Sequence, residues 1–173
     1  MGAIILLIIV VFLAVVIYSR LPLKPEQVIP ELKEKNAVLI YLDSDTKKVF
    51  ASKTYKIKAK PDFLYKMPDD SYIIVEYKSR SGSVKNSDIA QLIATAIAVK
   101  ETYPTLYTGY IYTQGRHIKK IDLKPSANQL FESIKQEVHQ VRQIEAGRAP
   151  AFQPKKEHCQ VCVLRRICEF RYQ

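Results

Sequence analysis

Two stretches near the middle of the chain have the alternating pattern of β-strands, and a turn sequence separates them. They are Ile57–Asp62 and Ile73–Lys78, with Pro-Asp-Asp-Ser between them. These residue types are typical of turns, so the pattern predicts a β-hairpin centred near Asp69. Asp62 precedes Asp69 by seven residues and Glu76 follows it by seven. Antiparallel pairing would therefore place the two carboxylates opposite each other.

The rest of the pattern predicts an α/β domain with a central mixed sheet flanked by helices. Alternating or short apolar runs indicate further strands at 38–42, 49–57, 107–112 and 118–121, with a turn at 43–45. Apolar residues spaced three and four apart predict a helix from Asp88 to Tyr103, with Ser87 as its N-cap and Pro104 at its end. A second, amphipathic helix is expected from Ser126 to about Glu145.

The N-terminal region is apolar or small from Gly2 to Tyr18 and contains no charge in that run. Seventeen residues would span about 25 Å as a helix, which is the short end of a membrane crossing. A cleaved signal peptide is the alternative, but no basic residue precedes the run and no small-x-small cleavage site follows it. Because Arg20 and Lys24 follow it, the positive-inside tendency places the soluble part in the cytoplasm. The three cysteines, an odd count, agree with a reducing compartment.

The expected organisation therefore has three parts. Residues 1–19 are a single transmembrane anchor, residues 20–36 are a connector with a short helix, and residues 37–173 are one folded domain. Within that domain, residues 150–173 form a cysteine-containing tail. The length after the anchor is typical of one domain and leaves no room for a second enzyme.

The charge of the chain is strongly basic. There are 27 Lys and Arg against 17 Asp and Glu, a net charge of +10, and all of them follow residue 19. Nucleic acid is the natural partner of such a domain. Anionic lipid is a competing explanation near the anchor, where Arg20, Lys24, Lys33 and Lys35 are close to the membrane.

The predicted hairpin gathers groups that suit metal chemistry. Glu76 and Lys78 share one strand face with Asp62 opposite, while Val75 and Tyr77 face a core. Two neighbouring carboxylates repel unless a cation joins them, and Mg²⁺ binds carboxylate and carbonyl oxygens. A bound ion would polarise a phosphate and lower the pKa of a bound water, which Lys78 would orient. The alternative is an exposed strand with ordinary charges.

These residues resemble a known family. Lys60-Pro61-Asp62 followed by Glu76-Tyr77-Lys78 resembles the split signature of the PD-(D/E)XK nuclease superfamily. Gln91 falls where the RecB-like branch carries a Gln-x-x-x-Tyr motif. The tail Cys159-x-x-Cys162-x5-Cys168, after Phe152-Gln153-Pro154, is similar to that of the CRISPR-associated RecB-like exonucleases.

The resemblance implies a restriction-endonuclease-like fold and metal-dependent DNA hydrolysis. Mg²⁺ or Mn²⁺ would be held by Asp62, Glu76 and the backbone carbonyl of Tyr77. Lys78 would assist the water and Gln91 would be a supporting residue nearby. The tail cysteines of that family help to hold a 4Fe-4S cluster, which implies the same for Cys159, Cys162 and Cys168.

The chain also departs from the family pattern. Thr95 stands where the motif after Gln91 has Tyr, and the cysteine that the family carries upstream of the nuclease core is missing. Many relatives have a metal-binding His ahead of the core, whereas the histidines here are His117, His139 and His158. A second hypothesis is therefore a weak or inactive nuclease-like module that tethers DNA or a partner complex to the membrane.

The cysteine tail leaves three interpretations open. Cys-x-x-Cys spacing suits zinc or an iron–sulfur cluster, and free cysteines also simply pack. The family resemblance favours iron–sulfur with an unidentified fourth ligand, and His158 is an awkward fourth ligand for zinc because it adjoins Cys159.

The expected partners are DNA, the membrane through the N-terminal helix, and a protein partner or a second copy of the chain. Beyond Lys78, Arg80 and Lys85 are candidates for contact with the phosphate backbone of DNA.

Overall fold

The computed structural model describes residues 24–45 and 48–148, together with residues 6, 10, 159, 160, 162 and 166–168. The chain divides into two units, Met1–Ser133 and Ile134–Gln173. The described helices are α1 (Pro25–Val28), α2 (Pro30–Glu34), α3 (Asn86–Lys100), α4 (Ala127–Ser133) and α5 (Lys135–Glu145), with a 3₁₀ turn at Asp43–Asp45. The described strands are β1 (Val38–Leu42), β2 (Phe50–Ser52), β3 (Ile57–Ala59), β4 (Phe63–Lys66), β5 (Tyr72–Lys78), β6 (Leu106–Thr113) and β7 (Ile118–Asp122).

A five-stranded mixed sheet forms the centre of the first unit, in the order β1-β4-β5-β6-β7. Only the β5–β6 pair is parallel among these neighbours, and α3 forms the crossover between those two strands. The short strands β2 and β3 pair with each other in a separate sheet. The mixed sheet with flanking helices is the α/β architecture that the sequence predicts.

One face of the sheet packs against the two short N-terminal helices. Ile29 and Leu32 are buried there against Ile73 and Val75 of β5, and Tyr110 of β6 belongs to the same cluster. The alternation of strand side chains places these residues on one face. Val75 therefore faces this core, as predicted, and the half-buried Tyr77 packs against it as well.

The opposite face of the sheet packs against α3. Leu92 of α3 is fully buried, and a Cβ atom at Gly109 of β6 would lie only 2.6 Å from its Cδ2 atom. A glycine at this position lets the helix lie close to the sheet. Ile74 and Glu76 of β5 have the side-chain parity of this face, so Glu76 lies under the helix.

The predicted centre of the hairpin turn is confirmed, but the predicted first strand, Ile57–Asp62, is wrong: the strand that pairs with β5 is β4, and Ile57–Ala59 pairs with β2 instead. In β4 and β5, Phe63 pairs with Val75 and Lys66 pairs with Tyr72, which is the register of a turn centred at residue 69. The turn is closed by Asp69, whose Oδ1 accepts the backbone N–H of Ser71 at 3.1 Å. Asp62, immediately before β4, is therefore in register with Glu76.

The predicted boundaries of the strand before Asp62 are wrong. Residues 49–57 do not form one strand, because β2 and β3 are separated by a turn in which Lys56 has a positive φ of 49°. The hydroxyl of Ser52 accepts the Tyr55 N–H at 3.3 Å and supports this turn. Pro61 has no N–H to donate to a ladder, and β4 begins only at Phe63.

The helix boundaries also differ from the prediction. Residues 126–145 form two helices, α4 and α5, because Ile134 leaves the helical conformation with φ −122° and ψ 12°. The N-cap of α3 is Lys85 rather than Ser87, since Asp88 in the first turn accepts the backbone N–H of Lys85 at 2.7 Å.

None of the helices in the described part of the chain is long and apolar enough to cross a membrane. The predicted anchor at 1–19 lies outside the described residues, apart from Leu6 and Val10.

Candidate active site

The two predicted carboxylates lie next to each other, Asp62 just before β4 and Glu76 near the end of β5. The backbone N–H of Tyr77 donates a hydrogen bond of 2.7 Å to Oδ2 of Asp62. This bond holds the Asp62 carboxylate against the strand that carries Glu76. The sequence predicts that Asp62 and Glu76 lie close together, and the structure confirms this proximity.

Glu76 is a buried carboxylate with unsatisfied hydrogen-bonding capacity. Its residue is 1% exposed, and its Oε1 atom has no hydrogen-bond partner among the described residues. Burial, and then the negative charge of Asp62, raise the pKa of Glu76 to about 7, against the opposing effect of Lys78. A buried carboxylate oxygen without a partner is costly, which makes Glu76 a candidate functional residue.

The pKa of Asp62 is raised as well. Burial is the main cause and the negative charge of Asp43 adds to it, while the Tyr77 N–H and the charge of Lys78 act in the opposite direction. Burial is the main reason why both pKa values are raised, and a bound cation would offset the cost of burying two neighbouring carboxylates.

Lys78 is oriented by two neighbours on the same face. Its Nζ atom donates to Oε1 of Gln91 at 2.7 Å and lies 3.6 Å from Oε2 of Glu76. The amide nitrogen of Gln91 in turn lies 3.5 Å from the same Glu76 oxygen. The Lys78 side chain is 15% exposed. The ammonium group is therefore held beside the carboxylates and remains accessible from solvent.

Three polar residues of α3 that lie three and four residues apart, Asp88, Gln91 and Thr95, form a polar stripe, and Gln91 reaches this site. Asp88 and Thr95 on the stripe are buried, and Gln91 between them contacts both Lys78 and Glu76. The helical spacing of three and four residues aligns the three side chains on one face. Gln91, the predicted supporting residue, therefore contacts Lys78 directly.

Asp43 is an acidic neighbour that the sequence hypothesis did not include. Its backbone N–H donates to the carbonyl of Asp62 at 3.1 Å, and its Oδ1 accepts Nζ of Lys60 at 2.8 Å. Its only signal in the sequence is an Asp directly after the predicted strand 38–42. An open depression of about 320 Å³ is lined by Leu42, Asp43, Ser44, Asp62, Phe63, Tyr77 and Ser79.

The two predicted DNA-contact residues, Arg80 and Lys85, differ in their contacts and exposure. The guanidinium of Arg80 forms an ion pair with Asp88, at the first turn of α3, and the Arg80 side chain is 32% exposed. Burial alone would raise the pKa of Asp88, but the bonds from Arg80 and from the Lys85 N–H outweigh it and lower that pKa. Lys85 is exposed at the N-cap of the same helix. Contact of either residue with DNA stays a prediction.

The tail cysteines are free thiols with different exposures. Cys159 is buried, Cys162 is exposed and Cys168 is intermediate. The N–H of Cys162 donates to the carbonyl of Cys159 at 3.4 Å, so the two lie in one local turn. Across the described residues, no group of three or more His, Cys, Asp or Glu side chains is placed to hold a metal ion. His158 lies outside the described residues, and the iron–sulfur or zinc assignment stays a prediction.

The hairpin site still suits a divalent cation. Asp62 and Glu76 offer carboxylate oxygens, the hard donors that Mg²⁺ and Mn²⁺ prefer, and one Glu76 oxygen has no other partner. The Tyr77 backbone carbonyl as a further ligand stays a prediction.

The fold and the site together define the class of the protein. A mixed sheet flanked by helices, with two acids and a lysine beside the β4–β5 hairpin, fits the restriction-endonuclease-like fold. The sequence model of the PD-(D/E)XK nuclease superfamily matches residues 20–169, and the chain therefore belongs to that superfamily. No curated protein matches the chain significantly.

Membership confirms the predicted superfamily and supports a nuclease-like function. Members of this superfamily are typically nucleases that use Mg²⁺ or Mn²⁺ and have DNA as a substrate. The RecB-like branch, and the similarity to the CRISPR-associated exonucleases within it, stay predictions.

Proposed function

We propose that the protein is a metal-dependent deoxyribonuclease of the RecB-like exonuclease type, anchored to the membrane with its catalytic domain in the cytoplasm. The observation that carries the catalytic part is the convergence of four side chains from β5, α3 and the residue before β4. They are Asp62, Glu76, Lys78 and Gln91; the last three contact one another, and the Tyr77 N–H holds Asp62 against the strand that carries Glu76 and Lys78.

Asp62 and Glu76 would hold the divalent ion. When bound, the ion would polarise the scissile phosphate and lower the pKa of a bound water. The Tyr77 N–H fixes one oxygen of Asp62, and the buried position of Glu76 under α3 keeps water away from its carboxylate. The two acids therefore supply fixed negative charge in a partly dry site, where electrostatic interactions are strong.

Lys78 would orient the attacking water and stabilise the negative charge that develops on the phosphate. Its ammonium group has three donors, of which one is taken by Gln91 at 2.7 Å. Gln91 thus sets the direction of the others without neutralising the charge. Positioned donors of this kind stabilise a transition state because they need no reorganisation during the reaction.

The first test is a nuclease assay in which the metal is titrated. Full-length protein is incubated with labelled linear duplex and single-stranded DNA at increasing Mg²⁺ or Mn²⁺, and a chelator is added to a parallel series. We expect cleavage that depends on the metal and releases short products from DNA ends. Cleavage that persists at full rate in the chelator would contradict the metal dependence, and internal cuts in circular DNA would contradict the exonuclease type.

A second candidate function is the nuclease-like tethering module. It is supported by a departure from the family pattern, since Thr95 stands where the motif after Gln91 has Tyr. The same assay separates the two functions, because a tethering module would bind DNA and remain inactive at every metal concentration. Retained binding with no cleavage, in both Mg²⁺ and Mn²⁺, would favour the module.

The cysteine tail adds a separate proposal. Cys159, Cys162 and Cys168 would contribute three ligands to an iron–sulfur cluster, with zinc as the alternative metal. Such a site would have a structural role in the tail, and hydrolysis would take place at Asp62, Glu76 and Lys78. Protein purified without oxygen should then be brown and contain iron, and the Cys162→Ser variant should lose both. Colourless protein with stoichiometric zinc would identify the alternative.

A further inference from the structure

The segment that leads into Asp62 is unusually basic. Residues 48–60 contain five lysines and no acidic residue. They form β2, β3 and the turn between them, an extra hairpin that pairs only with itself in the described sheets. This hairpin lies against α3, the helix that also supplies Gln91. The basic hairpin and Gln91 of the candidate site are therefore both in contact with or part of the same helix, α3.

Three of these lysines lie in or beside β3: Lys58 is in the strand, Lys56 is in the turn before it and Lys60 directly follows it. Lys56, Lys58 and Lys60 are exposed, while Ile57 and Ala59 between them are half-buried. Lys56 has a positive φ of 49°, so it belongs to the turn and not to the strand face. These three residues, here called the lysine row, place exposed positive charge along the chain from the β2–β3 turn to two residues before Asp62.

The members of the row differ in their partners. Lys60 is bound to Asp43, whose side chain lines the depression beside Asp62. Lys56 and Lys58 form no ion pair with any residue in the described part of the chain. Lys48 is excluded from the row because its ammonium lies over the rings of Phe50 and Tyr103.

We propose that the lysine row binds the sugar–phosphate backbone of a nucleic acid strand as it enters the site of Asp62 and Glu76. The position of that site rests on the proposed function. Like charges that lie close together along the chain repel one another, and a polyanion bound to them relieves that repulsion. A solvated surface is the usual role of exposed lysines, but this row ends at Lys60, which pairs with Asp43 beside the depression that Asp62 lines.

The geometry favours nucleic acid over a lipid surface. The row ends at the Lys60–Asp43 pair, which joins it directly to the depression that Asp62 lines. A strand whose phosphates follow the row would be directed to the carboxylates and Lys78. A membrane surface would gain nothing from a row that ends at such a depression. Lys56 and Lys58 would contact the backbone without reading sequence, as phosphate contacts do.

The test compares two double variants that remove the same charge. K56Q/K58Q removes two members of the row, and K119Q/K124Q removes two exposed lysines in β7 and just after it. Both are made in full-length protein that also carries K78A, and binding to labelled single-stranded DNA is measured without metal across a salt series. Thermal unfolding of each variant checks that the fold is retained, and K56R/K58R provides a variant that keeps the charge.

We expect K56Q/K58Q to bind about tenfold more weakly than its parent and to reduce the slope of log affinity against log salt by about 1.4. K119Q/K124Q and K56R/K58R should stay within about twofold of the parent. The proposal is overturned if K56Q/K58Q binds like K119Q/K124Q, or if the parent does not bind DNA.

A vesicle arm separates lipid from nucleic acid. The same variants are floated with phosphatidylcholine vesicles that contain or lack phosphatidylserine. If K56Q/K58Q loses only the phosphatidylserine-dependent binding and keeps its DNA affinity, the row serves lipid and the proposal is wrong. If the wild type never cleaves DNA but row-dependent DNA binding is found, the proposed function fails while the row stands.

Discussion

Glu76 illustrates at the scale of single residues how the fold creates a reactive position. Its carboxylate is 1% exposed, has a pKa raised to about 7 and carries an oxygen without a partner among the described residues. Lys78 is 3.6 Å from the other oxygen and is shared with Gln91, so it does not neutralise the site fully. Natural proteins accept such a cost where the group has a function.

Because burial of the Glu76 carboxylate is costly, we expect Glu76→Gln to stabilise the metal-free protein and to abolish cleavage. At neutral pH the amide removes a buried charge that also faces Asp62, and we expect the free energy of unfolding to rise by about 1 to 3 kcal/mol. Urea unfolding in a chelator measures the change. The exposed Glu34→Gln is the control and should stay within about 0.5 kcal/mol. An E76Q protein that is less stable than the wild type would contradict the account.

Among the elements, α2 is tied to the far strands of the sheet by a single carboxylate. Glu31 accepts Nζ of Lys120 at 2.7 Å and the hydroxyl of Tyr110, and it also pairs with Lys35. The hydrogen bond from Lys120, followed by that from Tyr110, lowers the pKa of Glu31 to about 2. The docking of α2 on β6 and β7 therefore depends on the ionised form of this side chain.

The lowered pKa of Glu31 predicts acid sensitivity. Between an unfolded pKa of 4.5 and a folded pKa of about 2, the unfolded chain binds more protons, so the stability from Glu31 is lost as pH falls through this window. Because the pair is partly exposed, we expect about 1 kcal/mol at neutral pH. The stability advantage of the wild type over E31Q, measured in urea, should be present at pH 6 and smaller at pH 3. An advantage that does not change with pH would refute this role.

A second element-scale prediction concerns the turn between β6 and β7. A Cβ atom at Gly115 would lie 2.0 Å from the carbonyl oxygen of Ser81, in the loop after Lys78. Gly115→Ala should therefore cost about 1 to 3 kcal/mol, because backbone has to move. Gly82→Ala is the matched control in the opposing loop, since no atom lies within 4 Å of its added Cβ. Equal melting temperatures for the two variants would contradict this packing.

The elements also show how far the sequence predicts the structure. The β4–β5 register follows from a local turn, so the pairing of Asp62 with Glu76 could be read from spacing alone. The break at Ile134 and the β2–β3 turn could not be predicted, because the apolar pattern continues through both positions while the backbone conformation changes there. Asp43 was missed at the site because its proximity to Asp62 depends on the long-range pairing of β1 with β4.

At the scale of the whole molecule, the net charge and the apolar N-terminal run lead to two separate predictions. The net charge of +10 belongs to residues after 19 and suits nucleic acid, whereas the apolar run 2–18 predicts an anchor. The described residues contain the site and most of the first unit, and the anchor falls outside them. A membrane location would restrict any nuclease activity to DNA that comes to the inner surface.

The proposed anchor leads to a prediction of how the protein fractionates. Because an integral helix is held by the hydrophobic effect, the protein should stay in the membrane fraction after a high-salt or alkaline wash. In inverted vesicles the folded domain should be accessible to protease, which tests its cytoplasmic orientation. Release by salt alone would indicate a peripheral, electrostatic association, and protection in inverted vesicles would reverse the orientation.

The central claim is that Lys78 acts beside the Asp62–Glu76 pair in hydrolysis of DNA. The most direct measurement is the single-turnover cleavage rate of Lys78→Ala, together with its DNA affinity in a chelator. Lys66→Ala, a lysine in the same hairpin that pairs with Asp70 at the surface, is the matched control. We predict that K78A loses at least about a hundredfold in rate with its DNA affinity within about threefold of the wild type, while K66A keeps both. Undiminished cleavage by K78A would contradict the mechanism.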